Sequence, residues 1–237
     1  MFSNFVYQIE EELQSNAYPG RGIIFGRTPD NKKNIIAYFI MGRSENSRNR
    51  VFVETEDGIR TEAFDPSKMT DPSLIIYHPV RVVGGKTVVT NGDQTDTIRD
   101  YLLEGKSYID ALRTRQFEPD APNYTSRISG VVNEDGSYSL SILKNFTSDR
   151  TANKRFFYEY DPVASLGHFI HTYMCDGDPV PPFRGEPKCI RMEYPMPEFA
   201  ARLWENLNEQ NKVSLFVRSI DLATGETETI IYNKHQK

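Results

Sequence analysis

The sequence predicts an α+β fold in which two mainly antiparallel sheets stack face to face, with helices outside, as a four-layer α-β-β-α sandwich. Turn signals join several predicted strands into hairpins, at Gly84-Gly85, at residues 134–136 and at residues 223–225. Strands linked by hairpins form largely antiparallel sheets. The predicted helices are bunched between groups of hairpins, which is typical of an α+β protein.

The first half of the chain begins with a predicted helix at residues 4–14, where apolar residues have helical spacing. Short apolar runs bounded by turn residues then predict strands at residues 23–27, 35–41, 51–55, 74–83 and 86–90. Residues 42–50 predict an arginine-rich loop, and residues 60–73 predict an irregular segment. Two helices are expected next, at residues 95–103 and 107–115.

The second half predicts mostly strands. They are expected at residues 128–133, 138–144, 155–160, 189–194, 213–220 and 227–232. Two further helices are predicted, one at residues 163–173 and one at residues 198–208, which contains the only tryptophan, Trp204. In the predicted sandwich, the helix pair at 95–115 covers one sheet and the helix at 198–208 covers the other.

The composition is that of an ordinary globular protein, with 237 residues, 38% of them hydrophobic and 26% charged. One large domain or two small ones both fit this length. The formal net charge of −5 argues against nucleic acid as the main partner. Two cysteines make no disulfide framework, so we expect a reduced, cytoplasmic setting. No apolar run has the length of a membrane span, and we expect no membrane partner.

The loop at residues 43–50 carries three arginines, together with serine and asparagine side chains. Planar guanidinium groups and hydroxyl or amide donors suit a phosphate monoester. A solvated loop, partly neutralised by Glu45, explains the same composition. Arg43, Ser44 and Arg50 are the candidate ligand-binding residues of this loop.

The segment from Asn91 to Asp96 precedes a predicted helix, where free backbone N–H groups attract anions. Asp93 and Asp96 would repel a phosphate there and fit better as helix caps. Asn91 closes a predicted strand, and the hairpin is expected to bring it towards Tyr77 on the first strand. These two residues are therefore the site candidates of the hairpin.

Two later clusters are also polar. Glu118, Asp120, Asn123 and Arg127 precede a strand, and a carboxylate there suits a general base beside an anion-binding arginine. Asn and Asp side chains that bond to a turn explain the same composition. Cationic residues recur at 144–155, where a lysine suits a phosphate and a solvated loop is the alternative.

We expect no metal site and no cofactor. His168 and His171 lie three residues apart, but the sequence offers no further ligands beside them. The sequence contains no phosphate-binding glycine loop, no dinucleotide-binding motif and no nucleophile elbow.

An ordered set of short motifs covers about the first 130 residues, namely Tyr18-Pro-Gly-Arg21, Arg43-Ser44 with Asn49-Arg50, Tyr77 with Val80-Arg81-Val82-Val83, Asn91-Gly92 with Thr95-Asp96-Thr97-Ile98, and Asn123 with Thr125 and Arg127-Ile128. This set resembles the archaeal-type IMP cyclohydrolase family. His78 and Asp93-Gln94 depart from the family's pattern.

The resemblance implies one domain over residues 1–237, with the fold of N-terminal-nucleophile hydrolases but without their nucleophile. It implies closure of the last purine ring, which converts the formamidoimidazole-carboxamide ribotide to IMP and water without a cofactor. The ligand is then a small-molecule purine nucleotide. A homo-oligomer is left open, because hairpin-rich sheets have edges that pair.

The resemblance also implies the roles of the site residues. Tyr77 is a hydrogen-bond donor or acid, Asn91 orients the carboxamide, and Glu118 is the candidate base, with Asp120 as the alternative. Substrate binding falls to residues that share polar or cationic side chains, namely Arg21, Arg43, Ser44, Arg50, Asn123 and Arg127.

Two other interpretations remain, a nucleotide-binding protein without activity and an amide hydrolase of the same fold. Phe2 argues against the hydrolase, because that class needs Ser, Thr or Cys as its first mature residue.

Overall fold

The computed structural model describes residues 5–147 and 151–236. Phe2, used above against a hydrolase, and the middle of the cationic segment at 144–155 lie outside these ranges. The fold is α+β, with two large antiparallel sheets and few helices. No helix of the described ranges is both long enough and apolar enough to cross a bilayer.

Six strands of the described chain form the first sheet. They are β1 (Arg21–Arg27), β2 (Lys33–Met41), β10 (Leu166–His171), β11 (Lys188–Arg191), β12 (Lys212–Asp221) and β13 (Thr227–Asn233). Their spatial order is β11-β10-β1-β2-β12-β13, and each neighbouring pair is antiparallel. The hairpins predicted at both ends of the chain, β1-β2 and β12-β13, are therefore confirmed.

Seven strands form the second sheet, in sequence order. They are β3 (Arg50–Thr55), β4 (Gly58–Ala63), β5 (Val80–Val83), β6 (Lys86–Thr90), β7 (Arg127–Val132), β8 (Tyr138–Asn145) and β9 (Asn153–Tyr160). Strand β4 occupies the start of the segment predicted to be irregular, because it pairs with β3 and β5 on either side.

The helices lie on the faces of the sheets. They are α1 (Ile9–Ser15), α2 (Glu45–Arg48), α3 (Gln94–Leu103), α4 (Tyr108–Arg113) and α5 (Met196–Asn206), with a 3-10 turn at Pro66–Lys68. Apolar residues of α1 and α5 share a cluster with the first sheet, and those of α3 and α4 share a cluster with the second. Side chains from both sheets form a third cluster, so the sheets pack against each other.

The central hairpin is confirmed at its turn. Gly84 and Gly85 have φ of 52° and 70°, in the left-handed region, and Val83 pairs with Lys86. Such angles are costly for residues with a Cβ, so the Gly-Gly pair fixes this turn.

The helix predicted at residues 163–173 is wrong, because residues 166–171 form β10. This strand lies between β1 and β11, and Gly167 lies directly opposite Gly26 of β1. A Cβ on Gly167 would lie 2.7 Å from the Phe25 carbonyl oxygen. The spacing of apolar residues resembles a helix, but pairing with β1, far away in sequence, decides the structure.

Candidate active site

Two arginines point into the space between the sheets at one end of the molecule. Arg21 is the first residue of β1 and Arg50 the first of β3. Side chains alternate along a strand, so Arg21 shares a face with Ile23, and Arg50 with Phe52. Ile23 and Phe52 belong to the cluster between the sheets. Arg50 is completely buried and Arg21 is 8% exposed. The first residues of these two strands thus place two guanidinium groups in the buried interior.

Both guanidinium groups keep donors that the described residues do not use. Arg50 donates from Nε to the Ser47 carbonyl at 2.8 Å, yet its Nη1 is buried without a hydrogen bond. The Nε of Arg21 is likewise buried and unbonded. Burial, and then repulsion by Arg21, lower the pKa of Arg50. Unbonded buried donors are costly, and a ligand oxygen would satisfy them.

Two tyrosines meet beside the arginines. The hydroxyl groups of Tyr38 and Tyr77 are 2.8 Å apart and buried. Burial, followed by the Tyr77 hydroxyl, raises the pKa of Tyr38 well above its usual value, so Tyr38 stays a neutral hydrogen-bonding partner. Tyr77 also contributes to the electrostatics of both Arg21 and Arg50. The phenol pair therefore belongs to the same cluster as the arginines.

The prediction that Tyr77 lies in a hairpin strand is wrong. Strand β5 begins only at Val80, and Tyr77 lies in the turn before it. Pro79 lacks an N–H group and cannot extend the ladder at that point. Thr61 holds the turn instead, since its Oγ1 accepts from the Tyr77 N–H and its own N–H donates to the Tyr77 carbonyl, both at 2.9 Å.

Glu118 lies in the loop between α4 and β7 and is 2% exposed. Burial raises its pKa to about 7, although the charges of Arg21 and Arg127 oppose that shift. Its carboxylate forms no ion pair or hydrogen bond with other described residues. A buried carboxylate with a pKa near neutrality and no fixed partner is typical of a proton-transfer group.

Glycine at position 92 is required beside this carboxylate. A Cβ there would lie 3.3 Å from Glu118 Oε1 and 2.5 Å from Arg127 Nη1. The family-like pair Asn91-Gly92 therefore leaves room for Glu118 and Arg127 to approach the backbone.

Arg127 is engaged by the residues that depart from the family's pattern. Its Nη1 donates to Gln94 Oε1 at 2.5 Å and pairs with Asp93 Oδ1 at 2.8 Å. Asp93 also accepts from Arg115 at 2.5 Å. Arg127 is thus anchored to the start of α3.

Asn91 is completely buried and its amide is used within the protein. Its Oδ1 accepts from the Ile128 N–H at 2.9 Å and from Gln94 Nε2 at 3.0 Å, while its Nδ2 donates to the Ser126 carbonyl at 2.9 Å. These bonds fasten the end of β6 to the start of β7.

Asp120 begins a short chain of hydrogen bonds. Its carboxylate accepts from the Thr125 N–H at 2.6 Å and from the Thr125 hydroxyl, which in turn lies 2.5 Å from the Tyr173 hydroxyl. Tyr173 stacks on Tyr18 with ring centroids 5.7 Å apart. Asn123 accepts from the Val180 N–H at 3.1 Å. The loop that carries Glu118 is thereby held in place.

The other two candidates of the arginine-rich loop have structural partners. Arg43 donates to Asp176 and to the Gly177 carbonyl, both at 2.7 Å. Ser44 is the N-cap of α2 and accepts from the Ser47 N–H at 3.1 Å. A short helix therefore occupies part of the predicted loop, with a capping box at its start.

Tyr38 and Tyr173 were not among the residues predicted from the sequence, and Tyr18 appeared only as part of a motif. A tyrosine inside the buried strand β2, flanked by Ile36 and Ile40 on the same face, was the available signal for Tyr38. Buried tyrosines need a partner for the hydroxyl group, and that partner is Tyr77.

Within the described ranges, no three His, Cys, Asp or Glu side chains group as metal ligands would. His168 and His171 lie on β10, not on a helix, and each has a protein partner. The Nδ1 atom of His168 is 2.7 Å from the Tyr138 hydroxyl, and that of His171 is 2.8 Å from the Tyr173 carbonyl.

Comparison with known proteins shows what this chain resembles. Residues 18–226 match the family model described as IMP cyclohydrolase-like protein. An IMP cyclohydrolase of Methanococcus aeolicus is 28% identical over 162 residues, which cover 67% of this chain and 75% of that protein.

Two further relatives are also IMP cyclohydrolases by name. An IMP cyclohydrolase of Methanococcus maripaludis strain S2 is 33% identical over 126 residues, or 51% of this chain and 61% of that protein. That of Methanopyrus kandleri is 27% identical over 196 residues, or 68% and 95%. The family match continues well beyond the 130 residues that the motifs cover. The chain belongs to the IMP cyclohydrolase-like protein family.

Proposed function

We propose that this chain closes the ring of 5-formamidoimidazole-4-carboxamide ribotide to give IMP and water. The observation that carries the proposal is the buried Glu118 carboxylate, which has no fixed partner and lies in the field of Arg21. The names of the relatives support the choice of reaction.

The reaction needs orientation and proton transfer. The carboxamide nitrogen bonds to the formyl carbon, and the formyl carbon–oxygen bond breaks. One hydrogen of the carboxamide nitrogen and the hydrogen of the formamide nitrogen leave with that oxygen as water. A carboxamide is a poor nucleophile, so the site must hold the two groups in contact.

The roles follow from the contacts. Glu118, with a pKa of about 7, takes a proton from the attacking nitrogen and returns it to the departing oxygen. The unbonded donors of Arg21 and Arg50 stabilise the oxyanion that develops on the formyl oxygen. Tyr77, held by Tyr38, donates to the same oxygen.

The remaining candidates act on these groups or at the edge of the site. Asn91 and the Asp120 carboxylate have their polar atoms engaged within the protein, and Arg127 is held through Nη1 while its Nε is buried without a hydrogen bond. We assign these three residues to positioning. Arg43, Ser44 and Asn123 remain proposed contacts for the nucleotide.

The three apolar clusters support a four-layer α-β-β-α sandwich like that of N-terminal-nucleophile hydrolases, in one domain of residues 1–237. We propose a cytoplasmic enzyme that binds a purine nucleotide and uses no cofactor.

The decisive experiment follows ring closure by the purified chain on the formyl ribotide, with Glu118→Gln as the matched variant. We expect turnover by the wild type and its loss in the variant, with nucleotide binding retained in both. Binding without turnover by the wild type would refute the proposed enzymatic activity and favour a nucleotide-binding protein without activity.

A further inference from the structure

A cationic pocket, defined by Lys144, Lys154 and Arg184, opens at the surface with a volume of about 630 Å³. Lys144 is 8% exposed, and Lys154 and Arg184 are exposed at the rim. The three cations come from strands β8 and β9 and from the segment before β11. None of these three cations has a role in the ring closure proposed above.

Lys144 is the inner cation of the pocket. Its Nζ donates to the Phe183 carbonyl at 2.7 Å and lies 5.3 Å from the centre of the Phe156 ring. This is the only hydrogen bond of the Nζ atom to the described residues, which leaves two of the three ammonium N–H groups for a ligand. Burial lowers the pKa of Lys144, and the charges of Lys154 and Arg184 lower it further.

No carboxylate of the described residues forms an ion pair with any of these three side chains. Lys154 instead lies 5.3 Å from the centre of the Phe146 ring. Like charges held together without a counter-ion are unfavourable, and an anion in the pocket would relieve the repulsion.

The pocket lies at the same end of the second sheet as the candidate active site. Strand β8 ends where β7 begins, and Leu143 pairs with Arg127. A neighbouring pocket of about 280 Å³ is lined by Asn123 and shares Asn145 and Pro182 with the cationic pocket. Asn123 belongs to the loop that carries Glu118, so the two pockets lead from the cations towards that loop.

We propose that the cationic pocket binds the phosphate of the ribotide, while Arg21 and Arg50 serve the reacting end. This assignment rests on the proposed function. A phosphate dianion beside Arg21 would also lie beside the Glu118 carboxylate, whose charge already acts on Arg21. The open pocket places the dianion among cations that have no described acidic partner, with lysines as point charges.

The test compares the wild type with the double variant Lys154→Gln/Arg184→Gln, which changes two exposed residues and leaves Lys144 in place. Lys106→Gln, another exposed cation, is the control for loss of charge. Calorimetric titrations use inorganic phosphate, IMP and inosine. We expect the double variant to bind IMP about 10- to 100-fold more weakly, because two charged hydrogen bonds are lost. Inosine binding should not change.

Unchanged IMP affinity in the double variant would overturn the assignment, as would an equal loss for IMP and inosine or an equal loss in Lys106→Gln. The proposed function can be refuted independently of the anion site. If the wild type binds neither IMP nor inosine, but binds inorganic phosphate and loses it in the double variant, the anion site stands and its assignment to the ribotide falls.

Discussion

Glu118→Gln tests the buried carboxylate on which the proposed chemistry depends. The substitution keeps the size of the side chain and removes its ability to ionise. Glu118 is 2% exposed and has no fixed partner among the described residues, so ionisation rather than a lost contact should dominate the effect. Both stability and catalysis should then depend on pH in a defined direction.

The magnitude follows from the pKa of Glu118, which is about 7 in the folded protein against an ordinary value of 4.5. Between those values the Glu118 carboxyl binds more protons in the folded state than in the unfolded state, so its contribution to wild-type stability falls as pH rises and levels off above the folded pKa. A shift of about 2.5 units corresponds to about 3 kcal/mol. Glutamine does not titrate, so the variant should gain about that much relative to the wild type between pH ~4.5 and ~8.

Urea unfolding across this pH range measures the difference in the free energy of unfolding between variant and wild type. Glu56→Gln, which removes an exposed carboxylate, is the control for the loss of one negative charge. A difference for Glu118→Gln that stays constant with pH would refute the burial of an ionisable Glu118.

The same variant also tests, by its kinetics, the role of Glu118 as the catalytic base. Wild-type kcat/KM for ring closure should rise with pH through about 7, as Glu118 loses its proton. The variant should lose about 10²- to 10⁴-fold in rate together with this limb of the profile. If kcat/KM of the variant still rises through about pH 7, a group other than Glu118 titrates there.

Four further substitutions test other parts of the structure. Tyr77→Phe should lower kcat about 100-fold, because a hydrogen-bond donor to the developing oxyanion is lost, and Tyr38→Phe only about fivefold, because it removes a hydrogen bond to Tyr77; in assays at saturating substrate, equal losses would contradict the assigned roles. Arg50→Met should lower kcat about 100-fold while the free energy of unfolding changes by no more than about 1 kcal/mol, because repulsion with Arg21 is removed; a large stability loss with full activity would make Arg50 structural. Gly130→Ala should destabilise by about 1–3 kcal/mol in thermal or urea unfolding, since its Cβ would lie 2.3 Å from the Phe25 ring; unchanged stability would refute this packing.

The fold was predictable where its signals are local. The Gly84-Gly85 turn, the helix pair after it and the terminal hairpin depend on residues within a few positions of one another. The segment at 163–173 was not predictable in this way. Its apolar spacing fits a short helix as well as a strand, and only pairing with β1, about 145 residues earlier, selects the strand.

The charged residues of the candidate site were selected from the sequence through the family resemblance, and the structure shows that they are buried. Arg21, Arg50 and Glu118 are costly to bury, which is why their presence in the cluster points to chemistry. Tyr38 has the composition of a core residue, and only the 2.8 Å contact with Tyr77 distinguishes it. Asn91 was selected for its position at a strand end, but that position gives its amide to neighbouring backbone groups.

Charge balance connects the reacting end with the phosphate assignment. Arg21 and Arg50 carry two positive charges in the interior, and Glu118 carries at most one negative charge, which its pKa of about 7 leaves partly protonated near neutrality. The cluster is therefore net positive, which favours a single developing oxyanion. A phosphate dianion would reverse that balance and raise the pKa of Glu118 further, weakening it as an acid and trapping its proton. A separate cationic pocket keeps the dianion out of the reacting end, so that binding and proton transfer do not compete for the same two arginines.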